Sequence, residues 1–171
     1  MSNKAEKKKL LIPVKRLQKG AVVPKPSKLG DAGADARIIG FKKITIQETE
    51  RELQDVNADS YTLKPLERIG CPLGFATAIP EGYYFKVVPR SGLALWEGLS
   101  ILNSPGTIDS GYRNEWMAIV INLSNTDVTL KKGDRICQII LTRIVEYQFE
   151  EVNELSESDR GQGGFGSTGK E

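Results

Sequence analysis

The feature that most constrains this chain is its punctuation. Short runs rich in β-branched and aromatic residues, RIIGFKKITI (37–46), SYTLKPL (60–66), GFATAI (74–79), YYFKVV (83–88), WMAIVINL (116–123), DVTLK (127–131) and RICQIIL (135–141), are separated by Gly, Pro, Asn and Asp. Runs of that kind read as strands and their separators as turns. Outside residues 48–56 (ETERELQDV) no stretch holds a helical period with good helix formers, and that stretch is short and strongly charged. Strands following one another at this spacing predict an all-β fold, a jelly-roll-like sandwich or barrel of many short strands. WMAIVINL is apolar almost throughout and is expected to be covered on both faces.

A chain of 171 residues fits one core. Residues 1–9 (MSNKAEKKK) are polar and basic and read as a mobile tail, so the domain is expected to span 10–152. Residues 48–60 look inserted and acidic and read as a surface loop. After Val152 the strand pattern stops, and residues 153–171 are expected to be a flexible, glycine-rich arm.

Charge is nearly balanced, 24 basic against 22 acidic residues, so the overall field does not announce a nucleic-acid partner. Lys4, Lys7, Lys8 and Lys9 lack interleaved aromatic residues, and nucleic acid is not expected to bind them. Histidine is absent, which removes imidazole bases, imidazole ligands and Ser-His or Cys-His nucleophile pairs. Catalysis in such a chain falls to carboxylates, amides, arginine and a metal. Cys71 and Cys137 stand in no CxxC spacing, no apolar run is long enough for a membrane span, and the apolar patch at 10–14 is too short for an export signal. The expected setting is cytoplasmic.

The C-terminal GFGSTGKE nearly spells the phosphate-binding loop G-x-x-x-x-G-K-[ST], but Glu171 stands where a hydroxyl is required and no helix follows. That reading is rejected. The physical idea survives in another form: glycines free backbone N–H groups for an anion, Arg160 supplies a guanidinium, Ser167 and Thr168 add hydroxyls, and Phe165 can stack on a base.

Five segments in order, DAGADA (31–36), PRSGLA (89–94), NSPGTIDSGYRNE (103–115), GDRICQII (133–140) and RGQGGFGSTG (160–169), resemble the motifs of the trimeric deoxyuridine triphosphatase (dUTPase) family. The resemblance implies a jelly-roll homotrimer that hydrolyses dUTP to dUMP and pyrophosphate with Mg2+, limiting uracil in DNA and supplying dUMP for thymidylate synthesis. It also implies active sites shared between subunits, the fifth motif closing over a neighbour's substrate.

By the same resemblance Asp109 is the general base and Gln138 holds the attacking water. Arg90, Ser91 and Gly92 hold phosphates, and Asn103 reads uracil with backbone groups of Gly106 and Ile108. Tyr112 packs on the deoxyribose, and Arg160, Phe165, Gly166, Ser167 and Thr168 close from the tail. Asp35 holds magnesium through water, which suits an ion that dehydrates reluctantly. Read alone, Asp109 before Ser-Gly is a turn former and PRSG a turn; Gln138 in an apolar run is an amide in need of a partner. Asp134 and Arg135 read as structural, pairing with each other or with the strand turn.

Ala34, Trp96 and Asn114 depart from the family pattern, and Asn114, where glycine is usual, raises a question of turn geometry. The related dCTP deaminases use a glutamate that falls here near Ile119 and an arginine near Leu95, and neither is present. The reading from another class is a nucleotide-binding regulator that acts by protein contact through 48–60. Asp109 and the complete fifth motif favour hydrolysis.

Overall fold

Side chains that alternate inward and outward along each run are satisfied when two sheets pack face to face. The computed structural model describes residues 9–47, 50–159 and 161. Its strands are β1 (Val14–Arg16), β2 (Gly33–Arg37), β3 (Phe41–Gln47), β4 (Glu50–Val56), β5 (Ser60–Leu63), β6 (Arg68–Pro72), β7 (Phe75–Thr77), β8 (Tyr83–Pro89), β9 (Leu99–Ile101), β10 (Gly106–Ile108), β11 (Met117–Asn122), β12 (Val128–Lys131) and β13 (Arg135–Arg143), with a helix, α1 (Ser91–Glu97), between β8 and β9. One main sheet has the order β10-β8-β13-β2 and the other β4-β3-β6-β11-β9, while β1 pairs β7 and β12 pairs β5. This is the all-β, jelly-roll-like architecture that the punctuation predicts.

The core lies between the main sheets. Ala36, Val87, Cys137 and Ile139 face Phe41, Ile69, Cys71, Ala118 and Val120. Trp116 packs against Phe75 at 5.1 Å and edge-on against Phe85 at 5.2 Å between ring centroids. Both cysteines are free and fully buried, and burial pushes the Cys137 thiol up to about 12.

Three expectations change. Residues 50–56 of the expected surface loop are strand β4, paired with β3 from Phe41↔Val56 to Gln47↔Glu50. Ile44 stands opposite Leu53, and the Lys42 ammonium donates to Asp55 at 2.7 Å, so cross-strand partners outweigh the poor strand propensity of the segment's charges. WMAIVINL is sealed on one face only: Ala118, Val120 and Asn122 are buried, while Met117, Ile119 and Ile121 are half-buried. The PRSG segment enters a helix rather than a turn, and α1 buries no residue. Among the described residues no helix is long and apolar enough to cross a membrane.

Candidate functional site

The first half of the candidate site is written across β2, β13 and the end of β8. Gln138 pairs with Asp35 on one side and Val88 on the other, which puts Asp35 and Gln138 on the sheet face away from the core. Gln138 leans over Gly33, where a Cβ would meet its Oε1 at 3.1 Å. The amide that reads as stranded in an apolar run is therefore half-buried on a polar face.

Arg90 follows β8 directly and serves as the N-cap of α1. Its Nε donates to Asp35 Oδ1 at 3.2 Å and its Nη1 to the Arg135 carbonyl at 3.0 Å, while Arg135 Nη1 donates to Asp35 Oδ2 at 3.2 Å. The side chains are 17 % exposed for Asp35, 24 % for Arg90 and 49 % for Arg135, so the pairs are partly shielded from water. Asp134 does not pair with Arg135; it accepts from the Lys131 N–H at 2.8 Å and closes the β12–β13 turn. Ser91 and Gly92 are the first residues of α1, so their N–H groups precede the first intrahelical bond, made by Ala94 N to Arg90 O at 3.0 Å. Beside them opens a cleft of about 430 Å³ whose walls include Arg37, Arg90, Lys131 and Arg135.

The second half is the chain around β10, which pairs with β8, and the connection that leads from it to β11 in the other sheet. Gly106 approaches both Val87 and Asn103 so closely that a Cβ there would stand 3.3 Å from Asn103 Nδ2, and only glycine leaves that amide in place. Ile108 ends β10, and Asp109 follows it, exposed. Tyr112 N–H donates to the Asp109 carbonyl at 3.1 Å and its hydroxyl to Glu115 O at 3.0 Å. Glu115 anchors the far end of the β10–β11 connection by accepting from Gly74 N–H at 3.0 Å and Gln18 Nε2 at 2.6 Å. Asn114 is not left-handed: among the described non-glycine residues only Leu66 has a positive φ, so the missing glycine leaves the turn unstrained.

The two halves do not meet within one chain. Val88 faces Gln138 while Phe85 faces Ile108, three residues further along β8. At roughly 3.3 Å per residue along a strand and about 4.8 Å between strands, Gln138 and Ile108 stand about 14 Å apart, and Asp109 lies beyond. Arg160, Phe165, Gly166, Ser167 and Thr168 lie outside the described residues. Sequence reasoning missed Arg135 as a partner of Asp35, and Glu115 altogether. Two consecutive apolar residues, Ile136 and Cys137, break the alternation just before Gln138 and are the signal that Arg135 changes face.

Fold and site define a class: a jelly-roll-like β-sandwich with a cationic cluster at the end of one sheet and an exposed aspartate just past an edge strand of the same sheet. Comparison with known proteins narrows the class to one family. The dUTPase family model matches residues 54–169, and the chain belongs to that family. It is 45 % identical over 163 residues to the deoxyuridine 5'-triphosphate nucleotidohydrolase of Fusobacterium nucleatum subsp. nucleatum, covering 95 % of this chain and 99 % of that one. The protein of the same name from Finegoldia magna is 47 % identical over 128 residues, 75 % of this chain and 90 % of that one. Among solved structures, a Staphylococcus bacteriophage 80alpha dUTPase with dUPNHPP superposes with a TM-score of 0.74 at 26 % identity, over 93 % of this chain and 98 % of that one.

Proposed function

We propose that the protein hydrolyses dUTP to dUMP and pyrophosphate in a homotrimer whose active sites draw residues from more than one subunit. The observation that carries this reading is the chain around β10, from Asn103 to Asp109. It holds Asp109 open to solvent and seats Asn103 against Gly106, which is what a base and a uracil-reading amide require. Asn103 offers donor and acceptor to the base edge beside the backbone of Gly106 and Ile108. Tyr112, with its hydroxyl tied to Glu115, presents its ring to the deoxyribose.

Asp109 accepts the proton of the water that attacks the α-phosphorus. Gln138 orients that water, while Arg90 and the N–H groups of Ser91 and Gly92 hold phosphate oxygens. Arg160, Phe165, Gly166, Ser167 and Thr168 complete the enclosure from the C-terminal arm. Among the described residues no group of three or more His, Cys, Asp or Glu is placed to cage a metal. Asp35 as a lone carboxylate fits magnesium carried on the triphosphate and held through water, and there the ion neutralises phosphate charge.

Subunit sharing is supported by the distance between the halves of the site. It is also supported by the half-buried face of Met117, Ile119 and Ile121, which a second copy would cover. A monomeric mass by light scattering would sink it. The reaction is tested by pyrophosphate release from dUTP beside dCTP, dTTP and UTP, with Asp109→Asn as control. Release from dUTP alone, reduced at least about thousandfold in the variant while binding persists, is the expected result. Binding of dUTP without release by the unaltered protein would leave a nucleotide-binding regulator.

A further inference from the structure

The bulge in β13 gives Arg135 a task that its motif does not announce. Along β2, Asp35 and Arg37 share a face and Ala36 points to the core. Gln138 pairs with Asp35 and Cys137 with Ala36, but Arg37 pairs with Arg135, so Ile136 is an extra residue on β13. In an unbroken ladder Ile136 would stand on the Asp35 face and Arg135 would turn away. The bulge sends Ile136 into the core, where it is buried beside Cys137, and swings Arg135 onto the face of Asp35 and Gln138. The like charge of Arg37 opposite is tolerated because Arg37 Nη1 is taken up by the Gly133 carbonyl at 2.6 Å.

The consequence is a divided carboxylate. Asp35 gives one oxygen to Arg90 Nε and the other to Arg135 Nη1, both at 3.2 Å, so neither guanidinium gains the two-pronged grip that makes arginine–carboxylate pairs strong. We propose that Arg135 is a positioning residue that keeps Arg90 releasable: by occupying Oδ2 it restricts Asp35 to a single bond with Arg90. Arg90 can then leave for the ligand's phosphates without leaving Asp35 unpaired. This rests on the reading of Arg90 as a phosphate holder. Without Arg135, Asp35 turns both oxygens to Arg90, and the ligand must break a forked pair before it can recruit that guanidinium.

The test is a double-mutant cycle on the full-length protein, read as the affinity for the non-hydrolysable analogue dUpNHpp by calorimetry with metal chelated. Arg135→Gln is expected to weaken binding by about tenfold, the equivalent of one charge-assisted hydrogen bond. In an Asp35→Asn background the same substitution should change nothing, because no carboxylate remains to trap Arg90. Arg135→Lys, which restores a charge opposite Oδ2, should recover most of the affinity. In steady state with magnesium, Arg135→Gln should raise KM by about tenfold and leave kcat within about threefold. An equal loss in both backgrounds would show that Arg135 touches the ligand itself, and no loss in either would show that it does nothing for binding; each result overturns the proposal. Should Arg135→Gln fail to melt cooperatively, Arg135→Lys carries the cycle, with an expected loss of about threefold that again vanishes with Asp35→Asn. Failure of the hydrolytic reading is seen separately, as analogue binding without pyrophosphate release from dUTP; failure of the unaltered protein to bind dUpNHpp would overturn both.

Discussion

The shortest polar contact between half-buried side chains away from the site joins the Tyr61 hydroxyl to Glu67 Oε1 at 2.5 Å. Burial opposes ionisation of Glu67, but the Tyr61 hydroxyl, the Lys64 N–H and the charges of Lys43 and Lys64 hold its carboxyl below the usual range. Burial, and then Glu67, push Tyr61 up to about 12. The signs follow from linkage. A depressed carboxyl stabilises the fold above its ordinary value of 4.5 and loses that contribution as pH falls through the folded value. A raised phenol stabilises below its ordinary 10.0 and loses that contribution as pH rises towards about 12. Tyr61→Phe should therefore flatten both the acid and the alkaline limb of the urea-midpoint profile; a profile parallel to that of the unaltered protein would contradict the pairing. At this scale the motifs made Asp35, Arg90, Asn103, Asp109 and Gln138 legible as residues of interest. The contacts among them and with Arg135 were not legible, because Asp35 to Arg135 spans 100 positions and its geometry depends on one extra residue in a ladder.

Among the elements, the runs with β-branched and aromatic residues became β3, β5, β7, β8, β11, β12 and β13, since local composition and period agree there with the sheets they join. What could not be read was decided by neighbours. Strand β4 carries mostly charged and amide side chains and exists through β3, while α1 follows a turn-like Arg-Ser-Gly and has no buried face to betray it. The join between β5, β11 and the loop before β12 rests on one side chain. Asn122 is fully buried, its Nδ2 donating to Leu63 O at 3.0 Å and Thr126 O at 2.8 Å, its Oδ1 accepting from Ser124 N–H at 2.9 Å and Ser124 Oγ at 2.7 Å. Asn122→Ala should cost about 3 kcal/mol by leaving the Leu63 carbonyl unsatisfied in the core and the loop untied, measured as a shift in the denaturation midpoint at unchanged m-value. A loss under about 1 kcal/mol would mean that water replaces the amide.

For the whole molecule, the division of the site between two sets of strands has a direct test. If one subunit supplies Asp109 and another supplies Arg90 and Gln138 to the same site, two variants that are each inactive can repair one another. Asp109→Asn and Arg90→Gln proteins, unfolded together and refolded as a mixture, should regain pyrophosphate release from dUTP, whereas each refolded alone should not. Failure of the mixture, with mixed assemblies verified by mass, would place both halves in one chain's site against the register of β8. The all-β layout was legible at this scale because turn residues mark nearly every strand end; an assembly is expected only through the family resemblance, since the half-open face of β11 reads in sequence as one more buried strand.

Strand β2 is an edge strand bonded to β13 alone, and β13 ends at Arg143. A ribosome adding about 5–20 residues per second needs roughly 5–20 s to pass from one to the other. Through that interval the nascent chain carries the apolar side of Gly33–Arg37 without a ladder, and for nearly all of it Asp35 without Arg135. Birth of the protein thus includes a waiting period in which its N-terminal third depends on being kept apart from other unfinished copies.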